Sequence, residues 1–154
     1  MLLVAVLPAW AAGSAAADDT DPGRMVLVLD ASGSMAAPSS GGETKIDAAK
    51  NALTQVVGSL PDGQAVGLRV YGATVPSQKE PGACTDSQLV VPVSTGNRDK
   101  LRTAVAGYKP FGETPIGYAL QKAGEDLGNQ GKRTIVLVSG GEPTCAPDPC
   151  EVAR

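Results

Sequence analysis

This sequence contains no histidine and few aromatic residues. Among its 154 residues, aromatic residues make up 3% and hydrophobic residues 42%. We therefore expect one globular domain with an aliphatic core. The absence of histidine excludes Ser-His-Asp catalysis, Cys-His catalysis and His-ligated zinc within this chain.

Basic residues are also scarce. Lys and Arg total 13 against 16 Asp and Glu, which gives a net charge of −3 without any basic run. Binding to nucleic acid or to an anionic membrane surface depends on concentrated positive charge, so we expect neither partner.

The N-terminal segment resembles a targeting signal. Its apolar stretch LLVAVLPAWAA is too short to span a bilayer and is followed by Ala15–Ala17. We expect residues 1–17 to be a secretory signal peptide, residues 18–24 to be a linker, and the protein to be secreted. The basic start of a signal is missing, so the signal is expected to be weak or to begin upstream; a disordered Ala-rich tail is the alternative. No later stretch has the length of a membrane span.

Beyond residue 24, strand patterns and helix patterns alternate, which predicts a doubly wound α/β sheet. The apolar runs of the first and fourth strands predict strands buried on both faces. Pro92 marks the third strand as an edge. Thr114 is expected to cap a helix whose first residue is Pro115. The predicted strands are Met25–Asp30, Ala65–Tyr71, Gln88–Val93 and a run from Arg133; the predicted helices begin near Thr44, Asn97, Thr114 and Asp148.

The C-terminal residues also bear on the extent of the domain. Asp148, Pro149 and Glu151 form a helix-start signature, and the chain ends at Arg154. The fourth strand would then have an uncovered apolar edge, which proteins rarely tolerate. We therefore expect this chain to be the front part of a longer domain.

Three oxygen-bearing side chains follow the first strand: Asp30, Ser32 and Ser34. Ligands of open α/β sheets bind beyond the carboxyl ends of the strands. Spacing by two along an extended loop would direct all three side chains to one side. A carboxylate with hydroxyls suits a hard cation such as Mg²⁺, Mn²⁺ or Ca²⁺. The alternative is a serine-rich turn that caps the next helix.

Three motifs together resemble the von Willebrand factor A domain family. They are DASGSM after the first strand, GETPIGYAL about eighty residues later, and VLVSGGEPTC after the last strand. The resemblance covers residues 24–154 and is strongest to secreted actinobacterial members. It implies a Rossmann-like, mostly parallel sheet with one antiparallel edge strand. The domain would comprise residues 25–154 and would be incomplete at its C-terminus.

The resemblance also implies a metal-ion-dependent adhesion site. In such a site Asp30, Ser32, Ser34 and Thr114 would hold a divalent cation, and an acidic side chain of a partner protein or extracellular ligand would complete the coordination. Hydroxyls are weak ligands, so water or the partner must supply the remaining oxygens.

One position departs from the family pattern. Family members commonly have Ser-Asp-Gly after the fourth strand, whereas this chain has Ser139, Gly140 and Gly141. The site would then have one carboxylate instead of two. Because cation affinity in oxygen sites follows ligand charge, we expect weak metal binding. Glu142 starts from a different backbone position and is interpreted as a solvated loop residue, with compensation for the lost carboxylate as the less favoured alternative.

The three cysteines are consistent with an oxidising compartment. We predict a Cys145–Cys150 disulfide, with the partner of Cys84 outside this chain. Pairing of Cys84 with Cys145 or with Cys150 stays open.

The sequence therefore predicts an extracellular module for metal-dependent adhesion, without enzymatic activity. A non-functional truncated remnant is the alternative. A metal-dependent hydrolase or a nucleotide-binding α/β protein is less favoured, because G-x-G-x-x-G, P-loop and G-x-S-x-G motifs are absent. Lys45 and Asp126 are expected on solvated helix faces.

Overall fold

Four strands form one mixed sheet in the computed structural model, which describes residues 21–77 and 79–154. The predicted signal peptide and the first three linker residues lie outside this part. The spatial order is β3-β2-β1-β4; β1 is parallel to β2 and to β4, and β3 is antiparallel to β2. The α/β class and the antiparallel edge strand are confirmed. The strands are β1 (Arg24–Asp30), β2 (Ala65–Tyr71), β3 (Ser87–Ser94) and β4 (Arg133–Val138).

Helices cover both faces of the sheet because the side chains of β1 alternate between two apolar clusters. Leu27 and Leu29 pack in the cluster formed with α1 and α2, while Val26 and Val28 pack in the cluster formed with α3. This is the doubly wound arrangement. None of the described helices is long and apolar enough to cross a membrane. The helices are α1 (Lys45–Ser59), α2 (Arg98–Gly107), α3 (Ile116–Leu127) and α4 (Pro149–Val152).

The edge position of β3 agrees with its proline. Pro92 has no N–H to donate, and its side chain is exposed. The pairing between β2 and β3 is irregular on either side of Leu68, where the register shifts. The prediction of an edge strand from Pro92 is therefore confirmed.

The fourth strand differs from its prediction. Ile135 and Leu137 are 36% and 37% exposed, although the apolar run predicted burial on both faces. Within the described residues, β4 pairs only with β1. The expectation of a fully buried strand is wrong here, because a cavity between β4, α3 and the C-terminal residues Val152 and Ala153 leaves the Ile135 and Leu137 side chains partly open to solvent.

The start of α3 also differs from its prediction. The helix begins at Ile116, and Pro115 lies outside it with φ −79° and ψ 59°. The Ile116 N–H donates to the Thr114 carbonyl at 2.9 Å, which closes a tight turn and keeps Pro115 from a helical conformation. Thr114 is therefore not the N-cap. The helix starts predicted near Thr44 and at Asp148 are confirmed, because both side chains accept bonds from first-turn N–H groups.

A buried ion pair fixes α3 to the sheet. Arg69 of β2 donates through Nε and Nη2 to the Asp126 carboxylate at 2.7 and 3.0 Å. Its Nη1 donates to Ser87 Oγ of β3 at 3.1 Å. The two charged side chains are 7% and 11% exposed, so the expectation of a solvated Asp126 is wrong. An apolar-faced helix pattern cannot reveal a charged partner on a distant strand.

Candidate metal centre

Asp30 lies at the carboxyl end of β1 and is completely buried. Its Oδ1 accepts a hydrogen bond from the Ser32 N–H at 2.8 Å, and its Oδ2 accepts one from Ser139 Oγ at 2.7 Å. Both donors are neutral. Across residues 21–77 and 79–154, no basic side chain forms an ion pair with this carboxylate. The negative charge of Asp30 is therefore buried without a counter-charge from the described part of the chain.

Two serine hydroxyls converge next to this carboxylate. Ser32 is buried and extended, with φ −66° and ψ 160°, and its Oγ lies 3.0 Å from Ser34 Oγ. Ser34 itself belongs to a 3₁₀ helix, Gly33–Ala36, so the prediction of a uniformly extended loop is wrong. The hydroxyls nevertheless meet, because the 3₁₀ turn folds Ser34 back towards Ser32.

The donor set fits a hard divalent cation. Neighbouring ligands of an octahedral ion with bonds of about 2.1 Å lie about 3.0 Å apart. The separation of the Ser32 and Ser34 oxygens matches that spacing. No group of three or more His, Cys, Asp or Glu suited to a metal occurs among the described residues. A cation here would therefore be held by one carboxylate, by hydroxyls and by water.

Backbone hydrogen bonds bring three loops together at this edge of the sheet. The Gly33 N–H donates to the Gly112 carbonyl at 2.8 Å, and the Phe111 N–H donates to the Ala31 carbonyl at 2.9 Å. The Gly112 N–H in turn donates to the Gly72 carbonyl at 2.7 Å. The loop after β2 and the segment before α3 are thus attached to the loop that contains the serines.

Glycine is required at two of these contacts. A Cβ at Gly112 would overlap the Val75 carbonyl oxygen, and one at Gly72 would overlap the Glu113 carbonyl oxygen. Gly72 also has φ +70°, a conformation that side chains disfavour. These loops can approach one another closely only because both positions lack a side chain.

Thr114 follows Gly112 by two residues and is 3% exposed. Its N–H donates to Thr144 Oγ1 at 3.0 Å, and its carbonyl accepts a bond from the Thr144 N–H at 3.3 Å. Thr144 Oγ1 also donates to the Glu113 carboxylate at 2.9 Å. Thr144 therefore anchors the backbone of Thr114 beside the serine loop, whereas the ligand role of Thr114 stays a prediction.

The loop after β4 places Gly140 against α1. Lys45 Nζ donates to the Gly140 carbonyl at 2.6 Å, so the expectation of a solvated Lys45 is wrong. A Cβ at Gly140 would lie 2.8 Å from Lys45 Cδ and 3.0 Å from Met35 Sδ. In contrast, a Cβ at Gly141 would lie 2.7 Å from Ser34 Oγ. Position 140 therefore faces the Lys45 stem, and position 141 faces the Ser34 hydroxyl.

Two polar residues of this site were missed from the sequence: Tyr71 and Ser139. Tyr71 ends β2, opposite Asp30 in the strand pairing, and is completely buried. Its hydroxyl has no hydrogen-bond partner within the described residues. Burial, followed by the negative charge of Asp30, raises the pKa of Tyr71. Both residues stand at the carboxyl ends of parallel strands, and that shared position is the signal that could have identified them.

The disulfide differs from the predicted one. Cys84 is bonded to Cys145, with their Cα atoms 5.4 Å apart, and Cys150 is free and exposed. The predicted Cys145–Cys150 bridge is therefore wrong. The loops after β2 and β4 meet at the same sheet edge, so two cysteines separated by 61 residues are neighbours in space.

Asp86 holds the loop after β2 in place. Its carboxylate accepts bonds from the Thr74 and Val75 N–H groups at 2.9 Å each and from Gln88 Nε2 at 2.8 Å. Burial raises the pKa of Asp86, but the hydrogen bonds from Thr74, Gln88 and the backbone outweigh it, so the pKa lies below its ordinary value. Ionised Asp86 therefore stabilises the loop that carries Cys84.

Known proteins with similar sequences or folds place the chain in a family. The family model for the von Willebrand factor type A domain matches residues 25–142. The uncharacterized protein YwmC of Bacillus subtilis (strain 168) is 30% identical over 153 residues, covering 96% of this chain and 66% of that protein. YwmD of the same organism is 31% identical over 144 residues, covering 90% of this chain and 64% of that protein. This chain thus spans slightly less than two thirds of the length of both relatives.

A solved structure supports the same fold. The crystal structure of the conserved hypothetical protein BatB from Bacteroides thetaiotaomicron has a TM-score of 0.56 and 21% sequence identity. The match covers 73% of this chain and 51% of that chain. Because the family model covers most of the chain, this protein belongs to the von Willebrand factor type A domain family.

Proposed function

We propose that this protein is a secreted binding module that uses a divalent cation to bind an acidic side chain of a protein or extracellular ligand. Asp30, Ser32, Ser34 and Thr114 would hold the cation, with Mg²⁺ favoured and Mn²⁺ or Ca²⁺ as alternatives. Domains of this family are often involved in protein interaction, which supports the general class. Secretion is proposed from the N-terminal sequence alone.

The observation that carries the proposal is the environment of Asp30. A buried carboxylate without a counter-charge is costly, because neutral hydrogen bonds replace only part of the lost hydration. Asp30 is completely buried, its two observed donors are neutral, and the paired hydroxyls of Ser32 and Ser34 lie beside it. A cation at these oxygens would supply the missing positive charge.

Each residue of the site has a separate task in this proposal. Asp30 contributes the only carboxylate, and its turn hydrogen bond to the Ser32 N–H orients one oxygen. Ser32 and Ser34 contribute neutral oxygens whose spacing is set by the 3₁₀ turn. Thr114 belongs to the segment attached to that turn through Gly112. The bound cation would supply the charge that attracts the acidic group of the partner.

A single carboxylate predicts that the cation and the partner bind cooperatively. Affinity for a hard cation rises with the charge of its ligands, so Asp30 alone should bind weakly. An acidic partner adds a second negative ligand and should tighten cation binding. By linkage, the cation must tighten partner binding by the same factor. The chain is proposed to act by binding and not by catalysis, because one carboxylate is a poor basis for metal-assisted hydrolysis.

The experiment is thermal unfolding of the full chain in EDTA and in millimolar Mg²⁺ or Mn²⁺. Binding to the native state alone raises the melting temperature, and a concentration one hundred times Kd stabilises by about 2.7 kcal/mol. We expect the wild-type chain to respond and Asp30→Asn to lose the response. Asp99→Asn is the matched control, because Asp99 is a fully exposed carboxylate on α2. A response shared by all three proteins would contradict the proposal, and so would a folded wild-type chain without any response.

A further inference from the structure

We infer that Ser139, at the carboxyl end of β4, is a positioning residue for Asp30 and thereby sets the cation affinity of the site. This inference rests on the proposed function and goes beyond it, because it assigns a role to a residue outside the expected ligand set. Ser139 acts through its hydroxyl on the carboxylate and is not itself proposed as a ligand.

The two oxygens of Asp30 are held in different ways. Oδ1 accepts the Ser32 N–H, a contact within the same loop, at 2.8 Å. Oδ2 accepts a hydrogen bond at 2.7 Å from the hydroxyl of Ser139, which directly follows β4 and is 109 residues away in sequence. A single local bond leaves the carboxylate free to rotate about it, whereas two bonds from different directions fix its plane. Groups that orient a metal ligand in this way strongly affect metal affinity.

The contribution of β4 comes from Ser139 because the next residue cannot make it. Gly140 has no side chain, and a Cβ at that position would point at Lys45 Cδ and Met35 Sδ. The Lys45 ammonium holds the Gly140 carbonyl and so keeps this loop in its conformation. The strand therefore offers the site a neutral hydroxyl that orients Asp30, where a carboxylate at position 140 is expected from the family pattern.

A second hydroxyl, the buried one of Tyr71, lies near the bond between Ser139 and Asp30. This hydroxyl lies close enough to Asp30 and Ser139 for both to affect its pKa, yet it has no hydrogen-bond partner within the described residues. Without the Ser139 hydroxyl, Oδ2 of Asp30 would lose its donor, and only the Oδ1 bond from the Ser32 N–H would orient the carboxylate. The carboxylate would then be free to rotate about the Ser32 contact, so cation binding should weaken.

The test compares cation binding with stability in the full chain. Wild type, Ser139→Ala, Ser139→Thr and Ser59→Ala are each titrated with Mn²⁺ by calorimetry, and their melting temperatures are measured in EDTA. Ser139→Thr keeps the hydroxyl. Ser59→Ala removes a serine hydroxyl that donates to the Val56 carbonyl at 2.9 Å at the far end of α1. A lower melting temperature in EDTA would indicate a structural role of Ser139. A lower Mn²⁺ affinity would indicate its role in positioning Asp30.

We expect Ser139→Ala to weaken Mn²⁺ binding about tenfold, as removal of orienting groups does at other metal sites. Ser139→Thr should bind like wild type, and Ser59→Ala should leave the affinity unchanged. Wild-type affinity in Ser139→Ala would overturn this inference alone, while leaving the proposed function intact. A wild-type chain that does not bind Mn²⁺ at all would overturn both.

Discussion

Replacement of Asp126 by Asn should destabilise the fold far more than an ordinary change on the surface of α3. The substitution keeps the side-chain volume and removes the charge that pairs with Arg69. Because Arg69 is 6% exposed, its guanidinium would then be buried without a counter-charge. This pair also holds α3 against the sheet, and the segment leading into α3 contains Thr114.

The size of the effect follows from burial. Removing one partner of a buried pair costs about 3–5 kcal/mol. The Asn amide can still accept one hydrogen bond, so we take the lower end, about 3 kcal/mol. In a chain of this length each kcal/mol shifts the melting temperature by about 2–4 °C, so the expected loss is about 6–12 °C.

The assay is thermal unfolding followed by circular dichroism. Glu125→Gln on the same helix is the matched control, because Glu125 pairs with Lys122 at 2.8 Å while the two side chains are 64% and 35% exposed. That exposed pair should matter little. The double variant Arg69→Met, Asp126→Leu should recover most of the loss, since it removes both buried charges. Equal shifts in Asp126→Asn and Glu125→Gln would refute the reasoning from burial.

Three further predictions concern the loops around the site. The pKa of folded Asp86 lies below its ordinary value of 3.8, so its stabilisation is complete above that pH and is lost as the pH falls through the folded pKa. Urea unfolding at several acidic pH values should therefore show a weaker acid dependence for Asp86→Asn than for wild type. Gly140→Asp should lower the free energy of unfolding by about 1–3 kcal/mol, because the new side chain overpacks against Lys45. Adding Lys45→Ala should recover part of this loss in chemical unfolding. A Gly140→Asp chain that is more stable than wild type would contradict the crowding. Cys84→Ser should lower the free energy of unfolding by about 4 kcal/mol on the chain-entropy model, because the disulfide spans 61 residues. Cys150→Ser, which removes the free cysteine, is the control. Equal unfolding midpoints of Cys84→Ser and wild type would contradict this prediction.

The sequence was sufficient to predict the framework of the fold. The four strands and the long helices produce regular apolar patterns. Thr44 and Asp148 mark helix starts and Pro92 marks an edge strand, because each residue affects hydrogen bonding of the backbone at or next to its own position. The start of α3 was misplaced because Thr114 and Pro115 have the usual residue types of a helix start. Their conformation is instead decided by bonds within a tight turn and to Thr144, which is distant in sequence.

The site was only partly predictable for the same physical reason. The Asp30 motif is local, so its position at the end of β1 could be inferred from the strand that precedes it. The role of Ser139, the buried hydroxyl of Tyr71 and the pairing of Cys84 depend on which loops meet at the sheet edge. The local sequence places Tyr71 and Ser139 at strand ends, but it does not encode which side chains of the different loops contact each other there. The exposure of β4 could not be predicted for a similar reason, because an apolar run does not show how many strands and helices pack against it.

The hydrogen bonds at Gly72 and Gly112 limit which substitutions the loops around the site can accept. The segment before α3 is hydrogen-bonded on one side to the loop after β1 and on the other to the loop after β2. Neither Gly72 nor Gly112 has room for a side chain at these contacts. A loop transplanted from another protein would therefore break contacts in two others unless it reproduced the same backbone path. New binding specificity is more accessible at exposed side chains such as that of Phe111, which is 48% exposed and whose hydrogen bond to Ala31 comes from its backbone N–H.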